Sequence, residues 1–466
     1  MALQRRIVPP GNTFQTMRRY NTYSICLIFA LSISLFIIAS LYVDKTIYLT
    51  SAEHWRSLKV IIKVEDSEDS YVQEIPIKLY YKVNNSATHK GDIHTMTNEN
   101  QSHDTTVINN ASTSTQKETH LATDIENILD KARSDIRRQL SNYNLSYSGA
   151  HALEDLVMES GGHPIRTLVI SSWRSGSTFL GDLVNSIPSN YYHYEPLLMF
   201  GTKQIRRLTD ATEALSIVTR MFKCNFEGLE EYFEFESKDL SLFSHSTRLW
   251  DYCKDDKTND LCFNADFISR MCKLFPFQSM KLVRLRLRLV DEILNDTELN
   301  VKVILLMRDP RGLMQSRRHR RFCELSSDCW EPSLVCADMV SDYIAARNIM
   351  QRYPGRLLVI RFEDLALKPD ITSQQILDFM KVDGRKAFDE FLSSHTNMEV
   401  AGVHSTFKVT RNIPFKWKYT LDYHYVEDLQ IACKEAMSLW GYKMAYNETQ
   451  MMSNEFNPVE DYTISK

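Results

Sequence analysis

Residues 167–184 read TLVISSWRSGSTFLGDLV. An apolar strand, Thr167–Ser171, runs into the small-residue loop Ser172-Trp173-Arg174-Ser175-Gly176-Ser177-Thr178, and a helical pattern starts at Ser177. Such a strand–loop–helix turn aims unpaired backbone N–H groups and the positive end of a helix dipole at one point, which suits an oxyanion. Gly176 lets the backbone turn tightly and approach a ligand. Ser175, Ser177 and Thr178 add hydroxyls, Arg174 adds a cation, and the first helical turn continues through Phe179 and Leu180. The competing reading is an ordinary strand-to-helix turn with serine caps.

Against the nucleotide-triphosphatase pattern G-x-x-x-x-G-K-[ST], aligning Gly176 puts Ser171 at the first glycine and Ser177 at the lysine, so only Thr178 matches. The loop is built for a different anion. A second segment, VKVILLMRDPRGLMQSRRHRR (301–321), has the same logic. Val301–Met307 is a buried-strand run, and Arg308-Asp309-Pro310-Arg311 stands at its carboxyl end, where open α/β sheets bind ligands. Pro310 suits the first turn of a helix. Gly312, Leu313, Met314 and Gln315 lead to Ser316, two turns from Arg308, so a guanidinium and a hydroxyl share one side of the helix as a phosphate clamp. Arg317, Arg318, Arg320 and Arg321 read better as a solvated basic face.

Further out, Tyr191–Tyr194 and Leu357–Arg361 are strand-like and helical stretches intervene. This alternation predicts an α/β domain over 164–448, a parallel sheet flanked by helices on both faces, with 449–466 as a C-terminal tail. Upstream, Ser24–Val43 is an uncharged run long enough to span about 30 Å of bilayer core. Residues 1–23 carry Arg5, Arg6, Arg18 and Arg19 and no acid, which predicts a cytoplasmic tail, a transmembrane signal anchor at 24–43 and a luminal remainder. A cleaved signal peptide fits less well, because the run is long and Leu41-Tyr42-Val43 is a poor cleavage site. A luminal stem follows at 44–163. Within it, Leu58–Val64 and Ile75–Val83 alternate like short strands, and 84–123 is so rich in Asn, Ser and Thr that disorder is expected. Behind Asp124, the residues Ile125, Ile128, Leu129, Ala132, Ile136 and Leu140 follow helical spacing; that helix could pair with a second copy, making a homodimer, or lie on the catalytic domain.

A net charge of −4 over 466 residues gives no electrostatic reason for nucleic acid as a partner, and 43% hydrophobic content excludes a chain disordered throughout. Of nine cysteines, eight follow the span, an even set that reads as disulfides with open connectivity. The spacings are not those of zinc sites, so no metal is expected. Glycosylation sequons occur at Asn84, Asn100, Asn110, Asn144, Asn295 and Asn447, all beyond the span.

Together the segments RSGSTFL and RDPRGLMQS resemble the 5′-phosphosulfate and 3′-phosphate motifs of sulfotransferases that use 3′-phosphoadenosine 5′-phosphosulfate (PAPS). Their form is similar to that of the Golgi carbohydrate 6-O-sulfotransferases acting on galactose, N-acetylglucosamine or N-acetylgalactosamine. The resemblance covers about 164–445 and includes Tyr194-Glu195-Pro196-Leu197, Arg361-Phe362-Glu363-Asp364-Leu365, Trp417 and Leu439-Trp440-Gly441-Tyr442. Arg411-Asn412-Ile413-Pro414 departs from the serine-rich run expected there. The resemblance implies a P-loop-like sulfotransferase fold in a single-pass type II Golgi membrane protein with its catalytic domain luminal. It also implies PAPS as co-substrate without a metal and a glycan acceptor.

On that reading Arg174 and the N–H groups of 175–179 stabilise charge on the leaving 5′-phosphate, and Arg308 and Ser316 hold the 3′-phosphate. Glu195 is the candidate general base, provided its pKa is raised, with His193 a lesser rival. Arg284, Arg286 and Arg288 alternate as on one strand face that could meet an acidic glycan or be balanced by nearby acids. Glu363 and Asp364 orient loops. A Golgi glycosyltransferase shares the anchor and stem, but no Asp-x-Asp metal motif occurs; a luminal kinase is disfavoured by Ser171 and Ser177. A membrane-tethered glycan-binding protein with a decayed site is the non-enzymatic alternative.

Overall fold

The computed structural model describes residues 108–255, 258–396 and 413–464. The tail 1–23, the apolar run 24–43, both stem strands and Arg411-Asn412 lie outside them. Among the described residues no helix is long and apolar enough to cross a membrane.

Five strands form one parallel sheet: β1 (Ile165–Ile170), β2 (Asn190–Tyr194), β3 (Phe277–Leu282), β4 (Lys302–Met307) and β5 (Leu357–Arg361), in the order β2-β3-β1-β4-β5. β2 and β3 are buried throughout, and β1 and β4 in all but their first residues, as expected of a parallel sheet covered on both faces. The chain leaves β1 toward β2 on one side and passes back to β4 on the other. The carboxyl ends of β1 and β4 therefore flank a switch point, where such sheets bind ligands. Three helices matter below: α1 (Ile108–Gln139), α2 (Ser177–Asn185) and α3 (Pro310–Arg317).

α1 starts at Ile108, inside the stretch expected to be disordered, so 108–123 is helix. Propagating a helix backwards from a docked segment needs no new nucleus. The docked segment is the periodic one: Ile125, Leu129, Ala132, Ile136 and Leu140 are buried in the main core. The stem's last part thus belongs to the catalytic fold. So do residues 449–464, which are no free tail. Glu448–Met452 is helical, Met451 is buried, Val459 bridges Tyr442, and the Glu460 carbonyl accepts from Arg361 (2.7 Å).

The eight cysteines from Cys224 to Cys433 pair as Cys224–Cys272, Cys253–Cys262, Cys323–Cys329 and Cys336–Cys433. The last closes a loop with a separation of 97 residues, a cross-link worth about 4–5 kcal/mol in the chain-entropy picture. Asn144, Asn295 and Asn447 are exposed, so these three sequons are accessible.

Candidate active site

The loop after β1 places Arg174 (φ 67°) and Gly176 (φ 94°) in the left-handed region, and Gly176 caps α2. Among the described residues, the backbone N–H groups of 176–179 find no backbone acceptor, whereas the Leu180 N–H donates to Gly176. These donors face the switch point. Ser175 does not share that role. It is fully buried, with its hydroxyl 2.5 Å from Ser171 Oγ and 2.8 Å from the Ser172 carbonyl, and Ser171 bonds the Leu306 carbonyl of β4. The two serines brace the loop onto the sheet. Phe179 and Leu180 turn their side chains into the core, Phe179 against Phe391, leaving at most the Phe179 N–H for a ligand.

The second motif meets the first at Arg174. Arg308 donates to the Arg174 carbonyl (2.7 Å), and Arg174 Nε donates to Ser316 Oγ (3.2 Å). Arg308 is buried over the Phe362 ring (4.6 Å), and its Nε has no partner among the described residues, a buried donor of the kind that an anion satisfies. Burial, with Arg320 and Arg308 nearby, pushes Arg174 down to about 10, still a cation at neutral pH.

The middle of the motif is structural. Asp309 and Arg311, both expected at the donor site, form a fully buried ion pair (2.7 Å), with Arg311 also bonded to Gln430 and the Lys443 carbonyl and lying over Trp417. Pro310 opens α3, Leu313 and Met314 pack in a core cluster with Trp417, and Gly312 keeps the helix close to Arg308 and Trp417. Gln315 is half-buried. Of this run, Arg308 and Ser316 reach the site. Glu363 braces the turn after Arg308: it accepts from the Asp309 N–H (3.1 Å) and the Tyr442 hydroxyl (3.0 Å), and burial pushes it up to about 7.

Arg317, read as solvated, is buried instead. It donates to the Trp173 carbonyl (3.0 Å) and the Cys329 carbonyl (2.7 Å), tying α3 to the anion loop. Burial pushes it down to about 9.

Glu195 follows β2 with φ 42°, an unusual backbone for a side chain of its size and of a kind that clusters at functional sites. Its Oε1 accepts from Lys281 (2.5 Å) and its Oε2 from Arg284 (2.7 Å). Burial alone would raise the carboxyl; the two cations outweigh it and hold Glu195 below the ordinary value. The raised pKa expected of it is therefore corrected. Lys281, at the end of β3 beside Tyr194, also reaches Thr178 Oγ1 (3.3 Å) and lies over the Tyr194 ring (4.0 Å). It bridges the carboxylate and the anion loop. His193 points to the other face of β2, among Tyr191, Phe222 and Phe226, and burial pushes it down to about 3. It is a neutral packed residue.

The arginines after β3 do not form one strand face, because the strand ends at Leu282. Arg284 takes Glu195, Arg286 pairs with buried Asp342, and Arg288 bonds the Arg206 carbonyl. Lys281 and Arg317 were the site's unread members. A lysine inside the apolar run that ends β3 was the signal for the first; nothing in a row of five basic residues marked Arg317 as the buried one.

Gly176→Ala tests the cradle. A Cβ there would lie 2.4 Å from Phe362 Cδ2, at a positive φ. Strain and overpacking should cost about 2–4 kcal/mol in thermal unfolding. Displacing the ring beneath Arg308 should also weaken adenosine 3′,5′-bisphosphate at least about tenfold by calorimetry; unchanged affinity would show that the loop does not approach the nucleotide.

The family described as "Sulfotransferase domain" matches residues 164–441. The chain is 27% identical over 326 residues to carbohydrate sulfotransferase 4 of Mus musculus, covering 61% of this chain and 83% of that protein. It is 25% identical over 333 residues to carbohydrate sulfotransferase 5 of Homo sapiens, covering 62% and 80%. Among solved structures, the sulfotransferase domain from the curacin biosynthetic pathway matches with a TM-score of 0.36 and 20% identity, over 60% of this chain and 99% of that one. A glycosyltransferase or kinase assignment loses its ground. The chain belongs to the sulfotransferase-domain family, and the curated proteins that it resembles are carbohydrate sulfotransferases.

Proposed function

We propose that the protein transfers a sulfuryl group from PAPS to the 6-hydroxyl of a hexose or N-acetylhexosamine in a glycan. The observation that carries this is the convergence on Arg174: Arg308 and Ser316 from one motif, the open N–H groups of 176–179 from the other, and Glu195 joined to them through Lys281 and Thr178. The residues fit the donor. An unsatisfied buried guanidinium nitrogen stands at the proposed 3′-phosphate position, and a glycine cradle at the 5′ position leaves no room for a side chain.

In the transfer the sugar oxygen forms a bond to sulfur while the bond from sulfur to the 5′-phosphate oxygen breaks, so adenosine 3′,5′-bisphosphate departs. Positioning and charge stabilisation dominate such a reaction. Arg174 and the helix end stabilise charge on the departing oxygen. Glu195, ionised at neutral pH, takes the hydroxyl proton. Lys281 is within reach of both groups and can follow the charge as it moves from the carboxylate to the leaving phosphate. The anchor, a luminal catalytic domain and Golgi residence belong to the same reading. They are supported by the arginine-flanked apolar run, the cysteine pairs and the accessible sequons.

The test is incubation of the full chain with sulfur-labelled PAPS and a panel of desulfated glycans, followed by mapping of the modified hydroxyl. Label on a 6-hydroxyl is the expected result. Label on another position removes the regiochemistry; no label on any glycan, with nucleotide still bound, removes the acceptor class.

A further inference from the structure

Immediately after α3 the chain forms a loop, 318–330, that the reaction as described does not use. It is rigid. Two short helices, Arg321–Glu324 and Ser327–Trp330, are closed by Cys323–Cys329. Asp328 is held by Arg206 (2.7 Å) and by the Gln204 N–H (2.7 Å), and Arg317 fastens the loop to Trp173 beside Arg174. Its outer surface has two further properties. Large apolar groups stand in solvent: Leu325 is 97% exposed, Trp330 49% and Phe322 41%. Among the described residues, Arg318, Arg320 and Arg321 have no carboxylate partner, and neither do the neighbouring cations Arg308 and Arg317, so no carboxylate ion pair offsets this group of cations. Arg320 is half-buried, its Nε is enclosed with no partner, and it lies near enough to Arg174 to oppose that cation's charge.

Guanidinium groups clustered beside other cations without carboxylate partners make a positive field that attracts an anion. Guanidinium forks match sulfate and carboxylate, and an exposed indole offers a flat apolar face to a sugar ring. We propose that this disulfide-closed loop is an acceptor subsite for an acidic glycan, in which Arg320 and Arg321 read a sulfate or carboxylate already present on the chain and Trp330 lies against a sugar ring. The proposal rests on the reading of the protein as a glycan sulfotransferase and narrows its substrate to a polyanionic one.

The full chain is assayed with labelled PAPS and three oligosaccharides of one skeleton: neutral, monosulfated and uronate-bearing. The wild type should favour one or both acidic acceptors over the neutral one by about tenfold or more in kcat/KM, and added salt should shrink the margin. Exchanging both Arg320 and Arg321 for glutamine should bring the ratio close to one, and Arg321→Glu should favour the neutral acceptor. Trp330→Ala should lower kcat/KM on all three alike. A wild type indifferent to acceptor charge, or variants that keep its ratio, overturns the subsite. Should the double variant no longer bind adenosine 3′,5′-bisphosphate, exposed Arg321→Glu decides alone by the same ratio. Failure of the parent reading looks different: no acceptor is labelled by the wild type at all.

Discussion

Replacing Arg308 by alanine should weaken adenosine 3′,5′-bisphosphate by about 2–4 kcal/mol, roughly 30- to 700-fold, while PAPS turnover at saturation falls far less. The side chain is buried at the carboxyl end of β4, donates to the Arg174 carbonyl and keeps its Nε without a partner. Burial depresses its pKa, and the anions Glu363 and Asp309 oppose that depression. An incoming phosphate would complete its bonding, so removing it sacrifices a charge-assisted pair in a site shielded from water. Ser316→Ala, which deletes only one hydroxyl at 3.2 Å from Arg174, should cost about 1 kcal/mol. A calorimetric titration of both variants separates the cases. Arg308→Ala with wild-type affinity would take this residue out of the clamp.

The parts of the site that were legible in the sequence are those whose chemistry is local. The β1–loop–α2 unit announces itself because glycine, serines and one arginine sit between an apolar strand and a helix, and β4 is followed by Arg308, an N-capping Asp309 and a proline suited to opening a helix. Their meeting at Arg174 follows from the strand order, since β1 and β4 are neighbours. The same local rules misplaced Arg311. A cation at a strand's carboxyl end reads as a ligand, yet Asp309 two residues earlier captures it, and Trp417, Gln430 and the Lys443 carbonyl from distant chain complete its burial.

Arg317 and Arg321 show the limit in another way. Both sit in one basic run, but the last turn of α3 aims the first at Trp173, while the second, in the next short helix, stays in water. Which arginine of a row is buried depends on what it packs against, here the distant Trp173 backbone and the fold of the disulfide-closed loop that follows, and no local pattern in the row reports either. The periodicity of 125–140 identified a buried stripe, although only tertiary structure shows that it covers the catalytic core. The C-terminal residues carry no such pattern. They join the fold through scattered contacts with distant chain, such as Val459 with Tyr442, Lys418 with the Ser453 and Phe456 carbonyls, and Arg361 with the Glu460 carbonyl.

Glu195→Gln should reduce kcat about 10²- to 10⁴-fold with little change in nucleotide affinity. Glutamine keeps the shape but cannot accept a full proton. The carboxylate it replaces is held below the ordinary value of 4.5 because Lys281 and Arg284 outweigh its burial. Such a group is a weak base in the resting protein, which is adequate here: the hydroxyl becomes strongly acidic only as its oxygen bonds to sulfur, so the proton moves late. The sign of the pH effect follows. A depressed pKa keeps Glu195 ionised through the neutral and mildly acidic range, so its contribution to turnover should persist as pH falls to about 4.5 and disappear only below it. The stabilisation from its two ion pairs is likewise complete above the unfolded pKa and lost as pH falls through the folded one. In Glu195→Gln both cations lose their counter-charge, so unfolding should come at lower temperature by an amount equivalent to about 3–5 kcal/mol, unlike any loss confined to chemistry. Single-turnover rates on folded protein, with nucleotide binding measured alongside, keep the two effects apart. Near-normal transfer by Glu195→Gln would move the base elsewhere and leave Glu195 as the anchor that positions Lys281.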